Sequence, residues 1–158
     1  MESLLRTFVC KEKPPMLSKY RLFDPYFVQK GGSIVKLNPD CIRAILLTVE
    51  DESGYDRESD FYIPLSKPRL TDFSYEEVFY HIDQCRMSGL VTRVRKTMNP
   101  SYHVEDLTPT GHAFLADIRS DTNWNKTKEI AKNVGSFSLD ALTKIAVGVV
   151  TAAINKNF

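Results

Sequence analysis

Apolar residues recur at helical spacing in one stretch in the middle of the chain, between Ser74 and Ser88. Ser74 is a favourable N-cap with Glu77 three residues later, which is the pattern of a capping box. Gly89 stands where a left-handed residue commonly ends a helix. The predicted helix therefore has one apolar face, made of Tyr75, Val78, Phe79, Ile82 and Cys85.

Two strands and a second capped helix are predicted to follow. Strand-like residues occupy positions 90–96 and 102–107, with turn residues Asn99-Pro100-Ser101 between them. Thr108 and Pro109 then predict a helix start, with Thr as the cap and Pro in the first turn. A helix, a hairpin and a further helix in this order are typical of a winged helix-turn-helix. The second helix is expected to bury Ala113, Phe114, Leu115 and Ile118.

A helix and an edge strand are predicted upstream. Asn38 and Pro39 favour a helix start, and Ile42, Ile45, Leu46 and Val49 form its buried stripe. Residues 61–63 predict a strand that Pro64 places at a sheet edge, where it can pair with the wing. One core is expected to contain Ile45, Leu46, Val49, Val78, Ile82, Leu90, Phe114 and Leu115.

The rest of the chain divides into two extensions. After a break at 120–123, Trp124, Ile130, Ala131 and Val134 mark a helix that ends at Gly135, and Ser138 caps a last helix over 139–154. We therefore predict a mainly α (α+β) protein, with a winged-helix domain over 35–119 and a C-terminal helical extension over 120–158. Residues 1–34 show no sustained periodicity and are predicted to be a poorly ordered extension. Lys30-Gly31-Gly32 can be encoded by a ribosome-binding sequence and Val35 by a GTG codon, so we expect natural translation to start at Val35.

Charge argues against DNA binding by the predicted winged helix. Residues 35–107 carry nine basic and thirteen acidic side chains, whereas a DNA-binding surface is normally basic. A protein partner is therefore expected, and a DNA-binding regulator dimerised by its C-terminal helices remains the alternative. The predicted partner-binding residues lie on the central helix and the wing: Tyr80, His81, Gln84, Arg93, Arg95 and Lys96.

Candidate chemistry is sparse in this sequence. His81 and Cys85 lie four residues apart on one helix, but a structural zinc site needs four ligands, and we expect His81 to be a partly exposed polar residue. Residues 102–103 with 105–106 could form an acid–base group, yet no nucleophile or glycine-rich phosphate loop accompanies them. We expect no enzymatic activity, cofactor or metal. The scattered Cys10, Cys41 and Cys85 indicate a reducing, cytoplasmic setting.

The last predicted helix has a broad apolar face, and residues 145–154 contain no charged side chain. Gly148 and the neighbouring alanines permit close approach of another helix. We expect copies of the chain to associate through this face, or the helix to contact the membrane when the protein is active. Packing on its own domain is the other possibility. The residues of this face are Leu142, Ile145, Ala146, Val149, Val150 and Ala153.

Three blocks of sequence resemble the family known as domain of unknown function 2513. They are KLNPDCIRAILLTVE at 36–50, DLTPTGHAFL at 106–115 and IRSDTNWNKTKEIAKNVGSFSLDAL at 118–142. The resemblance covers about residues 36–155 and implies a protein of bacteria and their prophages. That setting implies a role in phage–host conflict, such as sensing a phage protein and damaging the membrane. The family carries no established activity or catalytic residues, so the resemblance assigns no functional residue.

Overall fold

The computed structural model describes residues 35–98 and 101–157. This part of the protein is mainly helical with one small antiparallel sheet, which confirms the α+β class. The expectations for residues 1–34 and for the turn at Asn99 and Pro100 lie outside the described residues. The elements are α1 (Pro39–Glu52), β1 (Ser59–Tyr62), a 3-10 turn (Pro68–Leu70), α2 (Tyr75–Met87), β2 (Val94–Lys96), β3 (Ser101–Val104), α3 (Pro109–Ile118), α4 (Asp121–Val134) and α5 (Leu139–Asn157).

The predicted N-caps of four helices are confirmed, and Ser138 caps α5 by accepting a hydrogen bond from the backbone N–H of Ala141 at 3.2 Å. Asn38 caps α1, Ser74 accepts a hydrogen bond from the backbone N–H of Glu77 at 3.2 Å, and Thr108 caps α3 in the same way. The capping box at α2 is only half formed, because the Glu77 carboxylate does not turn back to its own helix. It accepts a hydrogen bond from the side-chain amide of Asn38 at 2.8 Å. The cap of α1 and the first turn of α2 are therefore joined.

The sheet has the strand order β1-β3-β2, with β3 in the centre. His103 on β3 lies opposite Asp60 on β1 and Arg95 on β2. The predicted edge position of β1 is confirmed, although the strand covers 59–62 and not 61–63. The hairpin strands are shorter than predicted, because Val91 and Leu107 at its base form only an isolated bridge.

One core spans the described residues. The eight core residues predicted above are all buried in the same cluster, and Ile82 is completely inaccessible. Trp124, Leu142 and Ala146 belong to that cluster as well. The helices after residue 119 therefore share the core of the preceding domain.

Two predicted apolar faces, those of α2 and α3, each include one residue that points outward, while their other members are buried as predicted. Ala113 is exposed, because Gly111, Phe114, Leu115 and Ile118 occupy the inward side of α3. In α4 the inward side is made of Trp124, Thr127 and Ala131, so Ile130 and Val134 point outward with 40% and 67% exposure. Tyr75 at the start of α2 is 43% exposed, and its ring meets the ring of Phe79 edge to face at a centroid distance of 6.0 Å.

A polar contact fixes α4 to the start of α1. The indole N–H of Trp124 donates to the Asp40 carboxylate at 2.6 Å, and the Lys128 ammonium donates to the same carboxylate at 2.8 Å. Burial alone would raise the pKa of Asp40, but these two hydrogen bonds outweigh it and lower the pKa below its usual value. The ionised carboxylate thus links the C-terminal helices to the first helix.

Candidate functional site

His81 lies in the interior and not on the surface predicted for it. Its side chain is fully buried. Its Nε2 accepts a hydrogen bond from the backbone N–H of Asn38 at 2.7 Å, and its Nδ1 lies 2.7 Å from the carbonyl oxygen of Glu77. Because a carbonyl can only accept, Nδ1 carries the proton, and burial lowers the pKa of this imidazole. The expectation of a partly exposed His81 was wrong, and the side chain is not available to a partner in this conformation.

The other predicted residues of α2 lie on its outer side. Tyr80 and Gln84 are half-buried, and with Glu76 and Met87 they follow one another at helical spacing. Met87 is 62% exposed. The stripe therefore presents an aromatic ring, an amide and a thioether, with a carboxylate at one end, and it contains no cation.

The three basic residues of the wing differ in their surroundings. Arg95 forms an ion pair with Glu58. Lys96 pairs with Asp83 at 2.7 Å, and its ammonium lies 4.8 Å from the centroid of the Tyr102 ring. Arg93 is exposed. Two of the three charges are thus already compensated within the fold, which leaves Arg93 as the uncompensated charge of these three.

The apolar face of α5 packs against α3 and α4. Leu142 and Ala146 are fully buried and Val149 is 7% exposed. Ile145, Val150 and Ala153 are half-buried at the edges of this contact. No helix among the described residues is both long enough and apolar enough to cross a membrane. The predicted face is therefore mostly occupied by the protein's own core, and what stays open is its margin.

A groove of about 640 Å³ runs between α4 and α5 along this margin. Its floor is apolar and includes Gly148, where nothing lies within 4 Å of the place a Cβ would occupy. Lys126, Glu129 and Lys156 stand at its rim. The remaining lining residues are Ile130, Asn133, Ile145, Val149, Ala152 and Ala153.

Two clusters bring metal-ligating atoms within 4.8 Å of one another. One consists of Cys41, Glu77 and His81, and the other of Glu58, Asp60 and His103. The predicted partner of His81, Cys85, is in neither cluster, and its complete burial raises its thiol pKa to about 12. A thiol of this kind is not a ready metal ligand, because the ligating form is the thiolate.

The sequence reasoning missed the neighbour of His103. The sequence suggested Glu105 and Asp106, but the imidazole Nδ1 lies 2.6 Å from the carboxylate of Asp60. The two residues are 43 positions apart and meet only through the register of β1 and β3. The alternation of side chains in each strand was visible in the sequence, whereas the register that pairs them was not.

Comparisons with known proteins agree with the family resemblance that three blocks of the sequence indicate. The model of the family described as "Hypothetical protein (DUF2513)" matches residues 36–138. An uncharacterized protein of Haemophilus influenzae (strain Rd) is 34% identical over 120 residues, which cover 74% of this chain and 97% of that protein. No solved structure matches the chain significantly. On the extent of the family match and the identity to this relative, the chain belongs to the family of domain of unknown function 2513.

Proposed function

We propose that this protein is a non-enzymatic interaction protein that forms a homodimer through the groove between α4 and α5. The observation that supports this proposal is the groove itself. Its apolar floor is open although both helices already contribute to the core. Contiguous exposed apolar surface on a folded protein usually marks a contact site. Five of the large apolar side chains that are exposed among the described residues lie on α4, on α5 or between them, and Ile130 among them lines the groove: Ile130, Val134, Phe137, Val147 and Ile154.

Charge at the rim favours a second copy of the same chain. Lys126 and Glu129 lie one turn apart on α4, and neither has an ion-pair partner in the described part of the chain. In a twofold-symmetric dimer the same patch meets itself. Antiparallel α4 helices would then place Lys126 opposite the partner subunit's Glu129, and the reverse, so two ion pairs form from one complementary surface.

The shape of the groove agrees with the same arrangement. Ile130 is 40% exposed and stands beside the groove, and Gly148 leaves its floor open. In the proposed dimer, Ile130 of each subunit lies over the partner subunit's Gly148. Small residues at such a crossing allow helices to approach closely.

A charge-reversal series tests this dimer. Lys126→Glu and Glu129→Lys each place like charges opposite each other across the twofold axis, whereas the double variant restores both pairs with reversed sign. We expect each single variant to weaken dimerisation by about tenfold, since two exposed pairs of up to about 1 kcal/mol each are lost. The double variant should regain most of the affinity. Three variants that all dimerise like the wild type would exclude these residues from the interface.

We also propose that residues 35–119 are a divergent winged helix-turn-helix used for protein contact. The support is the element order, with the 3-10 turn in the place of the second helix and α2 in the place of the recognition helix. The stripe of Tyr80, Gln84 and Met87 on α2 is suited to a protein partner, because aromatic and Met side chains are enriched at such interfaces. A phage protein is the partner that the family setting favours.

DNA binding is the second candidate function, and Arg93 is the observation in its favour. Its side chain is exposed, with no ion-pair partner among residues 35–98 and 101–157. Retention on duplex DNA that falls steeply with salt, and is lost when Arg93, Arg95 and Lys96 become Ala, would support this candidate over protein contact.

We further propose that α5 can damage the membrane when the protein is active, in addition to its part in the homodimer. Val147 and Ile154 are each 51% exposed, but bilayer entry would also require Leu142 and Ala146 to leave the core. We expect dye release from liposomes only after a trigger undocks α5. Leakage caused by the untriggered protein would show that the docked state is not the resting one.

A further inference from the structure

The exposed face of the sheet gathers a histidine and two carboxylates that the proposed dimer does not use. His103 lies on the central strand β3, Asp60 is its direct neighbour on β1, and Glu58 lies one residue before β1. All three side chains are half-buried, and each has a ligand atom within 4.8 Å of the other two. The backbone of the sheet therefore holds these three donors together, with one side open to solvent.

The His103 ring can turn a lone pair toward a cation. Its Nε2 lies 3.3 Å from the hydroxyl of Ser101, which is in turn 2.6 Å from the hydroxyl of Thr97. Without a metal, the Nδ1–H of His103 donates to Asp60 at 2.6 Å. A hydroxyl both donates and accepts, so Ser101 can accept a hydrogen bond from Nε2–H once a metal ion takes the place of the proton on Nδ1. A second hydrogen bond of this kind is the usual support of a metal-binding histidine.

The other cluster does not offer the same freedom. In His81 the lone pair of Nε2 is used by the backbone N–H of Asn38, which can only donate. Its Nδ1 proton is fixed by the carbonyl of Glu77, which can only accept. A metal at His81 would leave a buried backbone N–H without a partner, which is costly. The sheet cluster is therefore better suited to a metal ion than the buried cluster around His81.

The charges around the sheet cluster also favour a cation. Arg95 pairs with Glu58 and additionally faces Asp60 and Glu105. Three carboxylates thus surround one guanidinium, and the excess charge is negative. Arg95 is at the same time the competitor that a metal must displace from Glu58.

We propose that Glu58, Asp60 and His103 form a binding site for a divalent transition metal ion of the Zn²⁺ type. Imidazole nitrogen and carboxylate oxygen are both ordinary zinc ligands. Three protein ligands leave at least one coordination position to water or to a group of a bound molecule. The site would thus be an open one, suited to contact with a ligand at the sheet surface.

Calorimetric titration of the full-length protein with Zn²⁺ alone tests the site. We expect Asp60→Asn and His103→Ala each to raise the Kd by at least about tenfold, because even the loss of a residue that only supports a metal ligand costs about 10–100-fold. His112→Ala is the matched control, because His112 is half exposed and its ring nitrogens lie 3.9 Å from the carboxylates of Glu50 and Asp106. This control should change the Kd less than about twofold on the same reasoning.

Arg95→Ala gives the sharper result, since zinc bound elsewhere on the protein would not respond to it in this direction. Removing the guanidinium frees Glu58, so zinc should bind more tightly than to the wild type. The chain has three histidines, and NMR of the ring nitrogens should show the zinc-induced shift at Nδ1 of His103. Zinc binding that is unchanged in Asp60→Asn and in folded His103→Ala, or a shift confined to another histidine, would overturn the proposal.

Discussion

Replacement of Gly111 by Ala tests a close approach of two backbone segments. A Cβ at this position would lie 1.9 Å from the carbonyl oxygen of Leu90 and 2.9 Å from its carbonyl carbon. That carbonyl oxygen also accepts a hydrogen bond from the backbone N–H of Thr108 at 3.0 Å. The start of α3 must therefore move by roughly 1 Å in a close-packed region, and the variant cannot keep the present contact.

The expected loss of stability follows from three contributions. Overpacking costs about 1–3 kcal/mol, and loss of the Thr108–Leu90 hydrogen bond costs about 1 kcal/mol. The better helix propensity of Ala returns up to about 1 kcal/mol. We expect Gly111→Ala to lower the free energy of unfolding by about 2 kcal/mol, which corresponds to a fall in Tm of roughly 8 °C for a domain of this size.

Urea unfolding followed by tryptophan fluorescence is the assay, because the chain has a single Trp and Trp124 is 2% exposed. Gly148→Ala is the matched control. Its Cβ would enter open space, so in dilute protein it should raise the stability by up to about 1 kcal/mol. A Gly111→Ala protein as stable as the wild type would mean that α3 does not approach Leu90 as described.

Three further predictions concern the polar contacts between helices. Burial lowers the pKa of His81 from its usual 6.5, so the unfolded chain takes up this proton at a higher pH than the folded one. The contribution of His81 to stability should be complete above about pH 6.5 and be lost as the pH falls toward the lowered folded pKa. Urea melts across this range should show the loss, and His81→Gln should flatten it while His112→Gln does not. Asn38→Ala should lower the stability by about 1–2 kcal/mol through loss of the α1 cap. Thermal melting measures this loss, with Asn125→Ala at an exposed position of α4 as the control. Trp124→Phe should cost about 1–3 kcal/mol, because its indole N–H serves the ionised Asp40 carboxylate; far-UV melts would contradict this if Tm were unchanged.

What the sequence could predict depended on how local the cause was. Asn38, Ser74 and Thr108 were identified as caps because each acts on backbone groups two or three residues away. The inward side of α4 was not predicted, because it is fixed by the contact with Asp40 and by the packing of α5. Those contacts join residues 84 positions apart in the case of Trp124 and Asp40, and no local pattern reports them.

The candidate sites show the same division. An apolar last helix was evident from composition, but only the packing of Leu142 and Ala146 shows which part of it stays open. His81 lies on α2 at a spacing that also suits an exposed residue, and only the fold shows it buried, with its Nε2 accepting a hydrogen bond from the backbone N–H of Asn38. The pairing of Asp60 with His103 required the sheet register. Sites that depend on strand pairing or helix packing were therefore beyond the sequence alone.

Sedimentation velocity of the wild type and Gly148→Ala over a range of concentrations tests the proposed homodimer most directly. The wild type should change from monomer to dimer as its concentration rises. The Gly148→Ala monomer should be at least as stable as the wild-type monomer. The variant should nevertheless dimerise more weakly, by about tenfold if the added methyl group costs about 1.4 kcal/mol at the contact with the partner subunit's Ile130. A wild type that sediments as a monomer at every concentration, or a Gly148→Ala protein that dimerises just as tightly, would contradict the account.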